Sequence, residues 1–225
     1  VMQPELGVPV SFAGILTMLI AMGTVVSSLC SDALTRRFGA GKVTAVSVLM
    51  TAAALLGFSV SSQYWMLVLW SIPYGLGAGA VDAALNNYVA LHYAARHMSW
   101  LHCFWGIGAS ISPYIMSFAL SGGYGWHSGY QIVGIIQLVL TVLLFLTLPL
   151  WKKVRPPKEK EAIQEAKENP PASQEKHGSL LTTLKTAGVV PMLIAFCSYS
   201  AVEQTSMLWA SSYLVQQRGM AAETA

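Results

Sequence analysis

The amino-acid sequence predicts an all-α fold: a polytopic membrane protein built as a helical bundle. Three observations carry the prediction. Only 10% of the 225 residues are charged and 54% are hydrophobic, where a soluble domain carries about 25% charged residues. Six apolar runs are each long enough to cross a bilayer core, which takes roughly 20 helical residues. The basic residues are confined to alternate gaps between those runs.

The runs span Val10–Ser31, Val43–Ser61, Tyr64–Leu91, Trp100–Leu120, Gln131–Leu150 and Gly188–Leu214. None of the first five contains Lys or Arg. No basic segment precedes the first, so a membrane helix is expected there and not a cleaved signal peptide. The runs are rich in small residues, most densely at Gly75-Leu76-Gly77-Ala78-Gly79-Ala80. Glycines that would weaken a soluble helix let membrane helices approach closely. Cys30, Cys103 and Cys197 have neither metal-ligand spacing nor a disulfide framework, and are expected to pack as small apolar residues.

The first, third and fifth gaps hold every basic residue except Arg218: Arg36, Arg37 and Lys42, then Arg96, then the series from Lys152 to Lys185. The second and fourth gaps, at Ser62-Gln63 and Gly122–Tyr130, hold none. Basic loops stay in the cytoplasm, so the odd gaps are predicted inside and the even gaps outside. Tyr64, Trp65, Tyr124, Trp126 and Tyr130 at the even gaps fit aromatic rings at headgroup level.

This topology places Val1 outside. Residues 1–7 read as a loop between helices without an initiator Met, and Gln216–Gly219 opens another loop before the chain stops. Both ends are expected to be cut. Between Trp151 and about Thr186 the sequence turns polar, dense in Lys and Glu, with Pro156-Pro157 and Pro170-Pro171. Such a stretch cannot bury enough apolar surface to order itself. The expected organisation is residues 1–151 as transmembrane half, 152–187 as cytoplasmic linker and 188–225 as the first helix of a second half. Lys152, Lys153 and Arg155 are candidate contacts for anionic membrane lipid.

Six helices, once a helix is placed before Val1, then a long linker and a seventh helix form a layout that resembles the major facilitator superfamily. Ser31 to Lys42 resembles that family's signature between its second and third helices, Gly-x-x-x-Asp-Arg-x-Gly-x-Arg-Arg. Asp32 matches the acid and Arg37 the first distal basic position. Ser28, Ala33, Thr35 and Phe38 depart from the pattern. The resemblance implies a chain covering helices two to seven of an expected twelve, with Asp32, Arg36 and Arg37 in the gating loop. Asp32 and Arg36, four apart, can pair on a helical end.

Gly79 to Asn87 and Leu101 to Pro113 are similar to the fourth and fifth helices of the fucose-permease-like branch, which includes proton-coupled sugar symporters and a sodium-dependent glucose transporter. The adjacent Gly-Pro of drug antiporters is replaced by Ser112-Pro113, and the third run lacks Arg. Both departures favour symport.

Two carboxylates lie deep in apolar runs, Asp82 and Glu203. A mid-membrane acid costs roughly 2.5–3.5 kcal/mol on insertion scales. A carboxyl that gains and loses a proton there suits ion coupling. Asp82 and Asn86 share a helix face, and an acid with an amide can bind a polyol through several hydrogen bonds. His102 and Trp105, about one turn into the fourth run, are candidates for hydrogen bonding or proton relay and for stacking on a sugar ring. Glu203 with Gln204 completes the candidate substrate and coupling set. A structural hydrogen bond to a neighbouring helix is the alternative role of each polar candidate.

No nucleophilic set, metal-spaced cluster, phosphate loop or nucleic-acid patch occurs, so no enzyme, cofactor, metal or nucleic-acid role is expected. The expected function is secondary active transport of a small polar solute, a sugar, in the plasma membrane. H+ or Na+ is the expected coupling ion and alternating access the mechanism. Efflux carriers, facilitators and a non-transporting sensor on the same fold are the alternatives.

Overall fold

A computed structural model of the chain describes residues 5–9, 11–151 and 184–221. These fall into two units, one comprising the described residues to 151, the other residues 184–221. No strand occurs among the described residues. In a lipid phase every backbone N–H and C=O must be satisfied internally, and a helix does this within one segment.

The first unit contains α1 (Ser11–Phe38), α2 (Ala40–Ser59), α3 (Tyr64–His92), α4 (Ala95–Ser121) and α5 (Gly125–Trp151). All five are long and apolar enough to cross a membrane. The second unit is α6 (Val189–Arg218). It is thirty residues long, but it is not among the spans that reach the same apolarity. Glu203, Gln204 and the surrounding Ser and Thr residues dilute it. The predicted linker at 152–187, with its candidate lipid contacts Lys152, Lys153 and Arg155, lies almost wholly outside the described residues.

Two boundaries differ from expectation. The first inside gap is not a loop, because α1 continues through Asp32, Arg36 and Arg37 to Phe38. A single residue, Gly39, turns the chain into α2. Its φ of +85° lies in the region that favours glycine. Arg36 and Arg37 occupy the last turn of α1, where cations complement the helix dipole. Helix α4 begins at Ala95, so His102 sits about two turns into it rather than one.

Spatial order differs from chain order. The main contacts run α1 to α3, α3 to α2, α2 to α5 and α5 to α4. Helix α2 is the centre: 67% of its apolar stretch is buried, against 6% in α1 and 11% in α5. The glycine run of α3 makes this possible. A Cβ on Gly75 or Gly79 would strike the α1 backbone at Ile20 or Thr24, while one on Gly77 would lie 2.6 Å from the Ser47 carbonyl of α2. Hydroxyls of α1 donate into the same seam: Thr24 to the Gly75 carbonyl (3.3 Å), Ser28 to Gly79 (3.1 Å) and Ser31 to Ala80 (3.3 Å). On the other side of α2, Gly134 of α5 meets Leu56, and Gln137 donates to Thr51 at 2.6 Å.

An aromatic core closes the end predicted to face outside. Leu55, Phe58, Leu67 and Trp126 are buried there, with Tyr74 and Tyr130 against them. Trp126 donates to the Glu5 carboxylate at 2.6 Å. The ring of His127 bonds the Ser61 carbonyl at 3.1 Å. Of the residues expected at headgroup level, Trp65 and Tyr124 are exposed, but Trp126 is only 2% exposed. Its indole is turned inward and bonds the carboxylate of Glu5, an exposed residue ahead of α1. Cys30, Cys103 and Cys197 are all exposed, so they lie on helix surfaces and not in the packing where they were expected.

The glycine seam predicts an asymmetry. Gly79→Val should lower thermal stability in detergent by about 1–3 kcal/mol, the usual cost of overpacking. Gly106→Val, where an added Cβ meets nothing within 4 Å, should change it far less. Orientation has its own check. In a background lacking native cysteines, Ser62→Cys should react with an impermeant thiol reagent applied outside intact cells. Ala94→Cys, exposed between α3 and α4, should react only after permeabilisation.

Candidate functional site

Asp82 lies on α3 ten residues before its end at His92, a distance of about 15 Å at helical rise. It follows the glycine run by one turn, so the α1–α3 seam fixes the segment that carries it. The side chain is exposed, contrary to the burial expected of a deep acid. Asn86, one turn on, is half-buried, and its amide nitrogen donates to Asp82 Oδ1 at 3.0 Å. The Asn86 amide oxygen is buried without a hydrogen-bond partner. The expected pair is therefore formed and leaves two acceptors unused, the amide oxygen and the second carboxylate oxygen. An unsatisfied buried acceptor costs about 1–3 kcal/mol, but the Asn86 oxygen is enclosed, so the acceptor open to an arriving donor is the second carboxylate oxygen of the exposed Asp82. A hydroxyl-bearing solute or a protonated carboxyl supplies one.

His102 and Trp105 are both exposed on α4. They are one turn apart, and neither contacts the Asp82–Asn86 pair through a hydrogen bond. Helix α4 packs mainly on α5 and only lightly on α3, so the third and fourth runs do not join into one closed site within the described residues. Glu203 is half-buried and Gln204 exposed, near the middle of α6 in the second unit.

At the C-terminal end of α1, Arg36 and Asp32 form the expected ion pair at 2.8 Å. Both side chains are more than half exposed, and such i,i+4 pairs contribute only about 0.3–0.5 kcal/mol. Arg37 lies over the Phe38 ring, 5.4 Å from its centroid. Among the described residues no His, Cys, Asp or Glu cluster could hold a metal ion.

Sequence reasoning missed an aromatic chain at this same end. Tyr88 stacks on His92 with centroids 4.1 Å apart and meets Trp151 at 4.8 Å. Tyr93, His97 and Trp100 continue it. The signal was present as aromatics near the termini of α3, α4 and α5, but no periodicity links residue 88 to residue 151. Two cavities of about 510 and 520 Å³ lie near the same end, and none of the predicted substrate residues lines either.

Curated proteins similar to this chain are transporters by name. The 4-hydroxybenzoate transporter PcaK of Acinetobacter baylyi is 28% identical over 131 residues, 56% of this chain and 28% of that protein. The niacin transporter NiaP of the same organism is 24% identical over 127 residues, 55% of this chain and 29% of that protein. The hexuronate transporter of Bacillus subtilis is 24% identical over 231 residues, 99% of this chain and 52% of that protein. The chain thus spans between about a quarter and a half of these relatives. No solved structure matches it. The family model of the Major Facilitator Superfamily matches residues 1–225. The chain belongs to the Major Facilitator Superfamily, and so is a multi-pass protein of the cell membrane in a family of transporters, not enzymes.

Proposed function

We propose that this chain is part of a secondary active transporter of the fucose-permease-like branch, a symporter that carries a sugar-like solute by alternating access with H+ or Na+. The observation that carries the reading is the Asp82–Asn86 pair. Its exposed Asp82 carboxylate keeps one oxygen open to hydroxyl donors, and a polyol presents several of those at once. The apolar runs of α1 to α5 contain no Lys or Arg, so this part of the chain has no buried cation for a solute carboxylate. A proton or sodium ion at Asp82 would neutralise the acid as solute binds and so link the two binding events. The relative aligned over 99% of the chain is named for hexuronate, a sugar acid that shares the hydroxyls of a sugar but also bears a carboxylate.

The relatives named for 4-hydroxybenzoate, niacin and hexuronate favour a second reading. Each of those solutes bears a carboxylate. A carboxylate next to ionised Asp82 would be repelled, so an organic acid would enter only with Asp82 protonated. The second reading therefore requires proton coupling, whereas the first admits either ion. His102 and Trp105 serve as hydrogen-bonding and stacking groups in both, and Asp32, Arg36 and Arg37 as the gating pair and its neighbour.

In the full-length protein, Asp82→Asn should insert normally but lose gradient-driven accumulation, bringing internal solute down to the external level. Counterflow of radiolabelled sugar, hexuronate and 4-hydroxybenzoate into proteoliposomes distinguishes the two readings by which solute exchanges. Wild-type accumulation by Asp82→Asn under both proton and sodium gradients would exclude the coupling role. Asn86→Ala, which removes both donor and acceptor, should weaken solute affinity about five- to ten-fold, the value of a lost hydrogen bond or two.

Glu203 is proposed as a solute-binding acid on α6. Glu203→Gln should weaken equilibrium binding of labelled solute even without an ion gradient. Persistent binding that loses its pH or sodium dependence would reassign Glu203 to coupling. Unchanged affinity under every condition would remove it from the site.

A further inference from the structure

The two cavities at the predicted cytoplasmic end adjoin each other, with Phe38 and Lys42 in the lining of both. The first, about 510 Å³, is a groove between α1 and α2. Val26, Cys30 and Leu34 stand on its α1 side, and Val43, Val46 and Met50 on its α2 side. The second, about 520 Å³, includes Tyr88 and Trp151 and the backbone of the Gly39 turn.

Length and charge identify an occupant. From residue 26 to residue 38 the groove follows α1 for about 18 Å at helical rise. One leaflet of a core about 30 Å thick is about 15 Å deep. The groove is therefore one leaflet long, and it ends at a cation. Lys42 is exposed and makes no ion pair with a described residue, while Arg36 is already engaged by Asp32. Next to Lys42, Tyr88 supplies a phenol and Trp151 an indole to the second cavity, and both groups can donate hydrogen bonds to phosphate oxygens.

We propose that the adjoining cavities bind one anionic phospholipid of the cytoplasmic leaflet, with an acyl chain in the α1–α2 groove and the phosphate at Lys42. The lipid would fasten α1 to α2 beside the Gly39 turn, at the base of the helix that carries the Asp32–Arg36 pair. This site is separate from the Asp82–Asn86 pair, and its occupancy does not depend on which solute is carried.

The test is native mass spectrometry of the purified full-length protein loaded from an equal mixture of phosphatidylglycerol and phosphatidylcholine. Wild type should retain phosphatidylglycerol about five-fold over phosphatidylcholine, the effect of roughly one basic residue near the surface. Lys42→Gln should bring the two to parity. Val46→Trp should fill the groove and reduce retention of both. Val46 is 48% exposed, so thermal unfolding should verify an intact fold, with Cys30→Trp as the second groove-filling variant. Excess glycerol 3-phosphate should leave retention unchanged. No lipid retained by wild type, equal retention of both headgroups, an unchanged preference in Lys42→Gln, or displacement by glycerol 3-phosphate would each overturn the proposal.

Discussion

Gly75, Gly77 and Gly79 hold α3 against two helices at once. The outer pair of this run faces the α1 backbone and the middle one faces α2, so three side chains reduced to hydrogen set two interhelical distances. Inside a bilayer there is little hydrophobic drive between helices, because lipid tails are as apolar as leucine. What remains is close van der Waals approach and hydrogen bonding across the seam. Thr24, Ser28 and Ser31 use that closeness by donating to carbonyls of α3. Larger residues at 75 or 79 would separate the backbones and leave those hydroxyls without the partners they have.

The rest of the five-helix unit follows from that seam. Helix α2 is enclosed by α3 on one side and α5 on the other, which makes it the most buried element despite being the shortest. Its link to α5 is polar at Thr51–Gln137 and tight at Gly134. The aromatic end adds Trp126 and Phe58 as large apolar anchors, while the Trp126 indole and the His127 ring each satisfy a polar atom of another segment. Polar groups inside the unit thus appear where a specific partner meets them. The hydroxyls of Thr35 and Thr44 and the Asn86 amide oxygen depart from that pattern, and the last lies next to the acid on which the transport proposal rests.

That placement relates stability to the proposed function. Asp82 follows Gly79 by three residues on a helix whose position is set by rigid backbone contact. A carboxylate used for ion and solute binding needs such fixed support, because a carrier that rocks as rigid halves must keep its binding groups in register. The exposed Asp32–Arg36 pair sits by contrast on the last turns of α1, with a one-residue turn to α2. A weak, solvated ion pair at a helix terminus can open and reform at small cost, which is compatible with the gating role proposed for it.

Helix number, approximate span and class were legible in the sequence because they depend on local composition. Twenty apolar residues without charge specify a membrane helix wherever they fall, and the Asp82–Asn86 and Asp32–Arg36 pairs follow from a spacing of four on one helix. Tertiary structure decided everything that requires knowing which helix meets which. The order α1, α3, α2, α5, α4 cannot be read from the chain, because consecutive apolar runs carry no label for their neighbours. Trp126 looked like an interfacial aromatic until Glu5 and the outer core surrounded it. The segment from Asp32 to Arg37 looked like a loop because it is charged, yet Arg36 and Arg37 complement the dipole at the helix end and α1 runs on through it. The two cavities that share Phe38 and Lys42 form only once α1 and α2 stand side by side across the Gly39 turn, with α3 and α5 against them. Local chemistry is written in the order of residues, while proximity between distant segments comes from backbone approach that only the folded arrangement allows.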